Sequence, residues 1–169
     1  MTTLYLVRHG ETVDNARSIM QGQTQGALND EGIRQANALA EQLKDECIDA
    51  FVASDLKRSF DTCQILAAPH AKPVATTPLL RERDWGSFTG RYIPDLKGEV
   101  WPDDIESLDA LLARAREFLL YIKETYPNQH VLAVGHGIIN KAIQAVHFGK
   151  TMPEVARMMN CEVRILQLL

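Results

Sequence analysis

The segment TLYLVRHGET, residues 3–12, carries the strongest signals for both the fold and the chemistry of this chain. Its first half, residues 3–7, is a short apolar run that predicts a buried central strand. Arg8 and His9 follow where this strand ends, and Gly10 allows the backbone to pass close to a ligand. An imidazole beside a guanidinium supplies a nucleophile that attacks phosphorus and a charge that holds the phosphate. For that attack, one ring nitrogen must be unprotonated while the other donates to a backbone carbonyl or a similar acceptor.

Strand-like and helix-like stretches alternate along the rest of the chain, without internal repeats or low-complexity segments. Asn29 is a plausible N-cap for a first helix. The apolar positions of this helix recur at helical spacing and are Ile33, Ala36, Ala40, Leu43 and Cys47. Further strands are predicted at residues 48–53, 73–76, 130–134 and 163–168, and further helices at 55–67, 108–122 and 138–146, with a helical turn starting at Pro153.

This alternation predicts an α/β fold, a three-layer αβα sandwich with a mostly parallel central sheet. The 169 residues are expected to form a single domain. Residues 10–28 and 78–105 are predicted to be loops. Residues 83–105 would form a short lid region.

Composition and charge exclude several classes of function. The net charge of −4 disfavours a general nucleic-acid binder, although a small anionic substrate remains compatible with it. No signal peptide and no apolar run of membrane-spanning length are evident, so we expect a cytoplasmic protein with no membrane partner. The three cysteines, Cys47, Cys63 and Cys161, are far apart and are interpreted as reduced, buried side chains and not as a disulfide or zinc framework.

Basic residues follow three of the predicted strands. Arg8 and His9 follow the first strand, Arg58 lies shortly after the second, and His136 follows the strand at residues 130–134. In mostly parallel sheets, ligands bind beyond the carboxyl ends of the strands. We therefore expect these side chains to converge at one edge of the sheet.

Arg58 belongs to the segment SDLKRSFDT, residues 54–62, near the start of a predicted helix. Its guanidinium offers a bidentate fork that matches phosphate oxygens. Taken alone, this segment fits a solvated helix arginine better.

Glu82, in the segment LRERDWGSFTG of residues 80–90, is the candidate general acid. A carboxylic acid that donates a proton speeds the departure of an alkoxide. This role requires Glu82 to keep its proton near neutral pH. An ion pair with Arg81 or Arg83 would oppose it, and such a pair is the alternative interpretation.

His136 stands between two glycines in VLAVGHGIIN, residues 131–140. Here it could donate to a phosphoryl oxygen, aided by the helix N-terminus at Gly137. Gly135 and Gly137 also imitate the start of a dinucleotide-binding fingerprint, but the third glycine of that motif is replaced by Asn140.

In order and spacing, these four segments resemble the histidine phosphatase superfamily, also called phosphoglycerate mutase-like. The resemblance covers nearly the whole chain, from residue 4 to about residue 168. It implies that His9 is the phosphorylated nucleophile, that Glu82 is the proton donor and that neither a metal nor another cofactor is required. The phosphate ligands that it implies are Arg8, Arg58 and His136, with Asn15 and Gly137 as further contacts.

Two departures from the family pattern stand out. Leu28-Asn29 replaces the usual Leu-Thr before the first helix, and the insertion at residues 91–105 is short where the mutases have a long one. A short lid leaves the pocket open to water, which favours hydrolysis of the phosphohistidine over transfer to a sugar acid. We therefore predict a phosphatase for a small phosphorylated metabolite, with Gly22, Arg91 and Tyr92 at the rim of its pocket.

Three other functions stay open at this point. They are a phosphoglycerate mutase, a phosphatase for phosphohistidine or another phosphoresidue in proteins, and a weakly catalytic sensor of phosphorylated ligands. The sequence leaves the oligomeric state undecided between a monomer and a homodimer.

Overall fold

The computed structural model describes residues 1–169, which contain one five-stranded sheet with helices on both faces. The strands are β1 (Thr2–Arg8), β2 (Ala50–Ser54), β3 (Val74–Thr77), β4 (His130–Gly135) and β5 (Val163–Leu168). Their order across the sheet is β3-β2-β4-β1-β5, and only β5 is antiparallel to its neighbour. The predicted α/β fold with a mostly parallel sheet is confirmed.

Five α-helices connect or flank these strands. They are α1 (Val13–Ala16), α2 (Asp30–Leu43), α3 (Lys57–Ala67), α4 (Leu108–Thr125) and α5 (Gly137–Phe148). Short 3-10 turns lie at Ala68–His70, Pro78–Leu80, Gly86–Phe88, Ile93–Leu96 and Met152–Glu154. None of the helices combines the length and the apolar character needed to span a bilayer.

The two faces of the sheet bury separate apolar cores. Leu4 and Leu6 of β1 pack with α4 and α5, whereas Tyr5 and Val7 pack with α2 and α3. Successive side chains of a strand point to opposite faces, so one apolar strand supplies both cores. All seven residues of β1 are buried, as a central strand covered on both faces requires.

The register of the parallel strands brings their carboxyl ends to one edge. Val7 of β1 is paired with Val134 of β4, and Val134 is paired in turn with Ala53 of β2. The residues that follow these three positions therefore leave the sheet side by side, as the sequence predicted.

Helix α2 begins as predicted but ends earlier. The Asn29 side chain accepts a hydrogen bond from the Gly32 amide, which confirms the predicted N-cap. The helix ends at Leu43, so Cys47 lies beyond it and is exposed, and Ile33 is also exposed. The predicted helix face was wrong at Cys47, because the apolar spacing continued past Leu43, where the helix ends before the chain turns toward β2.

Other differences from the predictions are local. The loop predicted for residues 10–28 contains α1, which Thr12 caps by accepting from the Asn15 amide. Helix α3 begins at Lys57 and not at residue 55. Of the three cysteines, Cys63 alone is buried, so the prediction of three buried thiols was wrong for the exposed Cys47 and for the half-buried Cys161.

Close backbone contact between Gly10 and Gly32 fixes the start of α2 against the loop that follows β1. A Cβ atom on Gly10 would lie 2.6 Å from the carbonyl oxygen of Gly32, and one on Gly32 would overlap the carbonyl of Glu11. Gly10 was predicted to let the backbone pass close to a ligand. In the structure, a side chain at this position would instead clash with Gly32 of α2. Two glycines thus let α2 pack directly on the loop that contains His9.

The Gly32→Ala substitution should therefore lower the free energy of unfolding by about 1–3 kcal/mol, as overpacking of a tight contact does. Helix propensity alone would give the opposite sign, because alanine is the better helix former. Chemical denaturation monitored by circular dichroism measures the difference. Asn37→Ala, at an exposed position of the same helix, is the control and should be neutral or slightly stabilising. Equal stability of the Gly32→Ala variant and the original protein would contradict this contact.

Candidate active site

His9 lies at the end of β1 with its ring nitrogens in different environments. Its Nδ1 is 2.6 Å from the carbonyl oxygen of Gly10, which can only accept, so Nδ1 carries the ring proton of the neutral form. Burial, followed by the charge of Arg58, holds the pKa of His9 well below its ordinary value. His9 is therefore neutral near pH 7, and the lone pair on Nε2 is available.

Arg58 is almost completely buried beside His9, on the first turn of α3. Its guanidinium donates to the carbonyl oxygens of Thr24 at 2.5 Å and Gly22 at 2.7 Å. Burial lowers its pKa to about 10, which leaves the group charged at neutral pH. The Nε atom is buried without a partner in the protein. The alternative of a solvated helix arginine is thus excluded.

Arg8 is held in a similar way. Its Nη1 donates to the carbonyl oxygen of Met158 at 2.8 Å, while its Nε is buried without a partner. An added Cβ at Gly137 would lie 3.5 Å from this Nε, so the first residue of α5 packs beside the guanidinium. Neither Arg8 nor Arg58 forms a salt bridge with a carboxylate.

His136 is fully buried, with its ring centroid 5.1 Å from that of His9. Its Nε2 is 2.8 Å from the hydroxyl of Ser54, and this hydroxyl also accepts from the Leu56 amide. The Ser54 proton can therefore be donated to Nε2, and in that arrangement the ring proton of His136 is on Nδ1. That Nδ1 is buried without a partner. Burial, then the charge of Arg58, holds the pKa of His136 well below its ordinary value.

Glu82 faces the N-terminus of α5. Its carboxylate accepts from the backbone amides of Ile138 at 3.1 Å and Ile139 at 3.0 Å. It also accepts from the backbone amide of its neighbour Arg83 at 2.9 Å. The ion pair with a neighbouring arginine that the sequence left open is absent. Arg81 pairs instead with Asp55.

The amides at the start of α5 therefore serve mainly to hold a carboxylate. The amides of Ile138 and Ile139 both donate to Glu82. The amide of Gly137, the first residue of α5, does not donate to Glu82. The expected support of an anion by this helix N-terminus is reduced to one amide and the helix dipole.

A cavity of about 270 Å³ brings most of the predicted site residues together. His9, Glu82, Arg8, Arg58, Asn15, Gly22 and Gly137 all line it. His136 is not among the lining residues, but its ring lies against that of His9.

The predicted rim changes at two positions. The guanidinium of Arg91 pairs with Glu99, so Arg91 does not line the cavity, and Tyr92 is an exposed neighbour of Ile19 outside it. Trp85 and Ile93 supply the cavity wall in this region. The chain contains no group of three or more His, Cys, Asp or Glu side chains positioned to hold a metal ion.

Several lining residues were not predicted from the sequence. Lys141 lies one helical turn after Gly137, a spacing that puts both on one helix face and would have identified it. Arg157 is in an irregular segment with no local signal. Ser54, which does not line the cavity, was assigned no role from the sequence, and its contact with His136 depends on the fold. The remaining unpredicted lining residues are Ile19, Met20, Gln21, Trp85, Ile93 and Ile138.

Comparison with known proteins shows similarity to phosphatases. The chain is 37% identical over 141 residues to an uncharacterized phosphatase, PhoE, of Bacillus subtilis, covering 81% of this chain and 72% of that protein. It is 33% identical over 186 residues to a metal-independent phosphoserine phosphatase of Arabidopsis thaliana, covering 99% and 77%. Proteins named as phosphoglycerate mutase-like or as probable phosphoglycerate mutases are also among its relatives.

The fold is similar to that of a mycobacterial glucosyl-3-phosphoglycerate phosphatase solved as a complex with VO3. The TM-score is 0.89 at 29% identity, and the match covers 98% of this chain and 92% of the other. The family model of the histidine phosphatase superfamily (branch 1) matches residues 4–168. With its sheet, its paired histidines and its buried arginines in place, the chain belongs to the histidine phosphatase superfamily.

Proposed function

We propose that this protein is a phosphatase that hydrolyses phosphate monoesters of small metabolites through a phosphohistidine on His9. The observation that carries the proposal is a set of unsatisfied donors around this residue. The Nε atoms of Arg8 and Arg58 and the Nδ1 atom of His136 are buried without partners in the protein. Buried polar groups are normally hydrogen-bonded, so three such donors near a neutral imidazole indicate a binding site for an anion.

In the first step, Nε2 of His9 attacks phosphorus and the bond to the ester oxygen breaks. Arg8 and Arg58 neutralise the charge on the phosphoryl oxygens. Their guanidinium groups are already held by backbone carbonyls, so little reorganisation is needed as the transition state forms. His136 donates from Nδ1 to a phosphoryl oxygen. Asn15 and Gly137 are further contacts in the same cavity.

Glu82 moves the protons. It gives a proton to the departing ester oxygen in the first step and takes one from water in the second. Water then attacks the phosphohistidine, the P–N bond breaks and inorganic phosphate leaves. The backbone amides that bind Glu82 fix its position at the cavity wall.

The segment of residues 83–105 is proposed as a short lid of a single domain that spans residues 1–169. Its wall of Trp85 and Ile93 covers one side of the cavity, and no long insertion closes the remaining side. Access of water supports hydrolysis over retention of an acceptor sugar acid, and hence a phosphatase over a mutase. We place the protein in the cytoplasm, in agreement with three free cysteines.

A mutase and a phosphoprotein phosphatase make different predictions for substrates. A coupled assay of phosphoglycerate interconversion, with and without bisphosphoglycerate, tests the first, and a phosphohistidine-containing protein as substrate tests the second. A sensor would bind phosphorylated ligands without turnover. Turnover of a panel of phosphorylated metabolites separates the sensor from all three enzymes.

The His9→Ala substitution should lower kcat for p-nitrophenyl phosphate by at least about a thousandfold, because it removes the nucleophile. When the unmodified protein is quenched rapidly during turnover, the phosphoryl group should stay on the chain in base and be hydrolysed from it in acid. His147→Ala, at the far end of α5, is the control and should keep full activity. Full activity of the His9→Ala variant would rule out this mechanism.

The Glu82→Gln substitution should lower kcat for alkyl phosphates by about 100- to 10,000-fold, since glutamine cannot donate the proton that an alkoxide requires. For p-nitrophenyl phosphate, whose leaving group departs without a proton, the loss should be much smaller. Steady-state kinetics on both substrates measures the ratio. An equal loss on the two substrates would exclude Glu82 as the general acid.

The Ser54→Ala substitution should allow His136 to adopt both neutral tautomers, since the hydroxyl that donates to Nε2 is lost. We expect kcat to fall about tenfold, the value of one oriented hydrogen bond. The ¹⁵N shifts of the His136 ring should change from a pure Nδ1–H tautomer to a mixture. Ser59→Ala is the matched control, because Ser59 makes a buried hydrogen bond to Val134 and does not contact His136. Unchanged ring shifts in the Ser54→Ala variant would contradict this role.

A further inference from the structure

We propose that Asn160 is a positioning residue of the phosphoryl site. Its side-chain amide ties the Asn15 side chain to the backbone of His9, so that the NH2 group of Asn15 is directed into the cavity. This inference rests on the proposed function, in which His9 attacks phosphorus and Asn15 contacts the phosphoryl group. It adds to that site a residue for which the sequence gave no signal.

The side-chain NH2 group of Asn160 lies between two acceptors. It donates to the carbonyl oxygen of His9 at 3.0 Å, and it is 3.4 Å from Oδ1 of Asn15. Because a backbone carbonyl only accepts, the atom of Asn160 that faces His9 is the nitrogen. The two protons on this nitrogen are enough for both contacts. One amide group therefore joins the backbone of the proposed nucleophile to a side chain of the cavity.

The orientation of the Asn15 amide follows from the donors that face its oxygen. Oδ1 of Asn15 accepts from the backbone amide of Thr12 at 3.1 Å and from Asn160 at 3.4 Å. Both of these groups are donors, so the atom that faces them is the oxygen. The side-chain nitrogen of Asn15 donates to no group of the protein, and the residue lines the phosphoryl cavity. This NH2 group is therefore available to a ligand.

Asn160 lies beside the phosphoryl cavity and is not among the residues that line it. It lines an adjoining cleft of about 290 Å³, whose wall it shares with Asn15 and Arg8. Its NH2 group is already engaged with His9 and Asn15. An effect of Asn160 on phosphate must therefore be passed on by one of the residues that it contacts.

A tight turn before β5 holds Asn160 in place. The Glu162 amide donates to the carbonyl oxygen of Met159 at 3.0 Å, and the Glu162 carboxylate accepts from the Met159 amide at 2.8 Å. The Cys161 amide donates to the carbonyl oxygen of Arg8 at 2.8 Å, which fixes the turn against the end of β1. Cys161 has a φ of 57°, a left-handed conformation that is uncommon for a residue other than glycine. These contacts maintain the one backbone geometry that places the Asn160 amide.

The Asn160→Leu substitution tests this role, because leucine has a similar branched shape but neither a donor nor a charge. Calorimetric titration with inorganic phosphate should show binding about fivefold weaker, the value of one neutral hydrogen bond. In an Asn15→Ala background, Asn160→Leu should cause little further loss, because a positioning residue has no effect once the residue that it positions is removed. An equal fold-loss with and without the Asn15 side chain would overturn the proposal.

The matched control is Asn37→Leu. The Asn37 side chain also donates to a backbone carbonyl oxygen, that of Ile33 at 3.0 Å, but it does so on the exposed surface of α2. This variant should bind phosphate as the unmodified protein does, and a loss as large as that of Asn160→Leu would overturn the proposal. Asn160→Ala removes the same donor with a smaller side chain and should give the same loss, again absent when Asn15 is alanine.

Spectra of the ligand-free protein separate this inference from the proposed function. The side-chain NH2 signals of Asn15 in ¹H–¹⁵N spectra should shift in the Asn160→Leu variant and stay in place in the Asn37→Leu variant. Unchanged Asn15 signals in Asn160→Leu would overturn the positioning role, whether or not the protein binds phosphate. Shifted signals, together with a phosphate affinity that depends on Asn160 only when Asn15 is present, would support the role even if the His9→Ala variant kept full activity.

Discussion

The parallel hydrogen bonding of β4 to both β1 and β2 determines where the two histidines and the two buried arginines of this site lie. Because Val134 is in register with Val7 on one side and Ala53 on the other, three strands end at the same level. The residues that follow them are then close neighbours, although they lie far apart in the sequence. A shift of one residue in either pairing would turn the apolar side chains to the wrong face, so the two cores hold the register in place.

The second constraint is the burial of positive charge without a direct salt bridge to a carboxylate. Arg8 and Arg58 are held by the carbonyl oxygens of Met158, Gly22 and Thr24, which satisfy only part of each guanidinium. Burial, and after it the charge of Arg58, lowers the pKa of both neighbouring imidazoles and keeps them neutral. In the proposed mechanism, one arrangement therefore prepares both the site for the anion and the nucleophile that attacks it.

The N-terminus of α5 connects these groups to the acid. Its amides bind Glu82, its first residue packs beside Arg8, and Lys141 follows one turn later on the same face. A single helix thus fixes the positions of Glu82, the proposed acid, and of Arg8 in the proposed phosphoryl site. Distances among these groups are set by helix geometry, which is more rigid than that of a loop.

The sequence alone determined the order of strands and helices and the family that the chain resembles, and it named the five side chains proposed for the site. These depend on local periodicity and on residue types at fixed spacing, which a linear chain displays. Only the tertiary structure decided that His136 is oriented by Ser54, that Glu82 is held by amides and not by an arginine, and that Arg157 reaches the cavity. Such contacts join segments that are distant in the chain, and their geometry is set by packing between elements, for which the sequence carries no local signal.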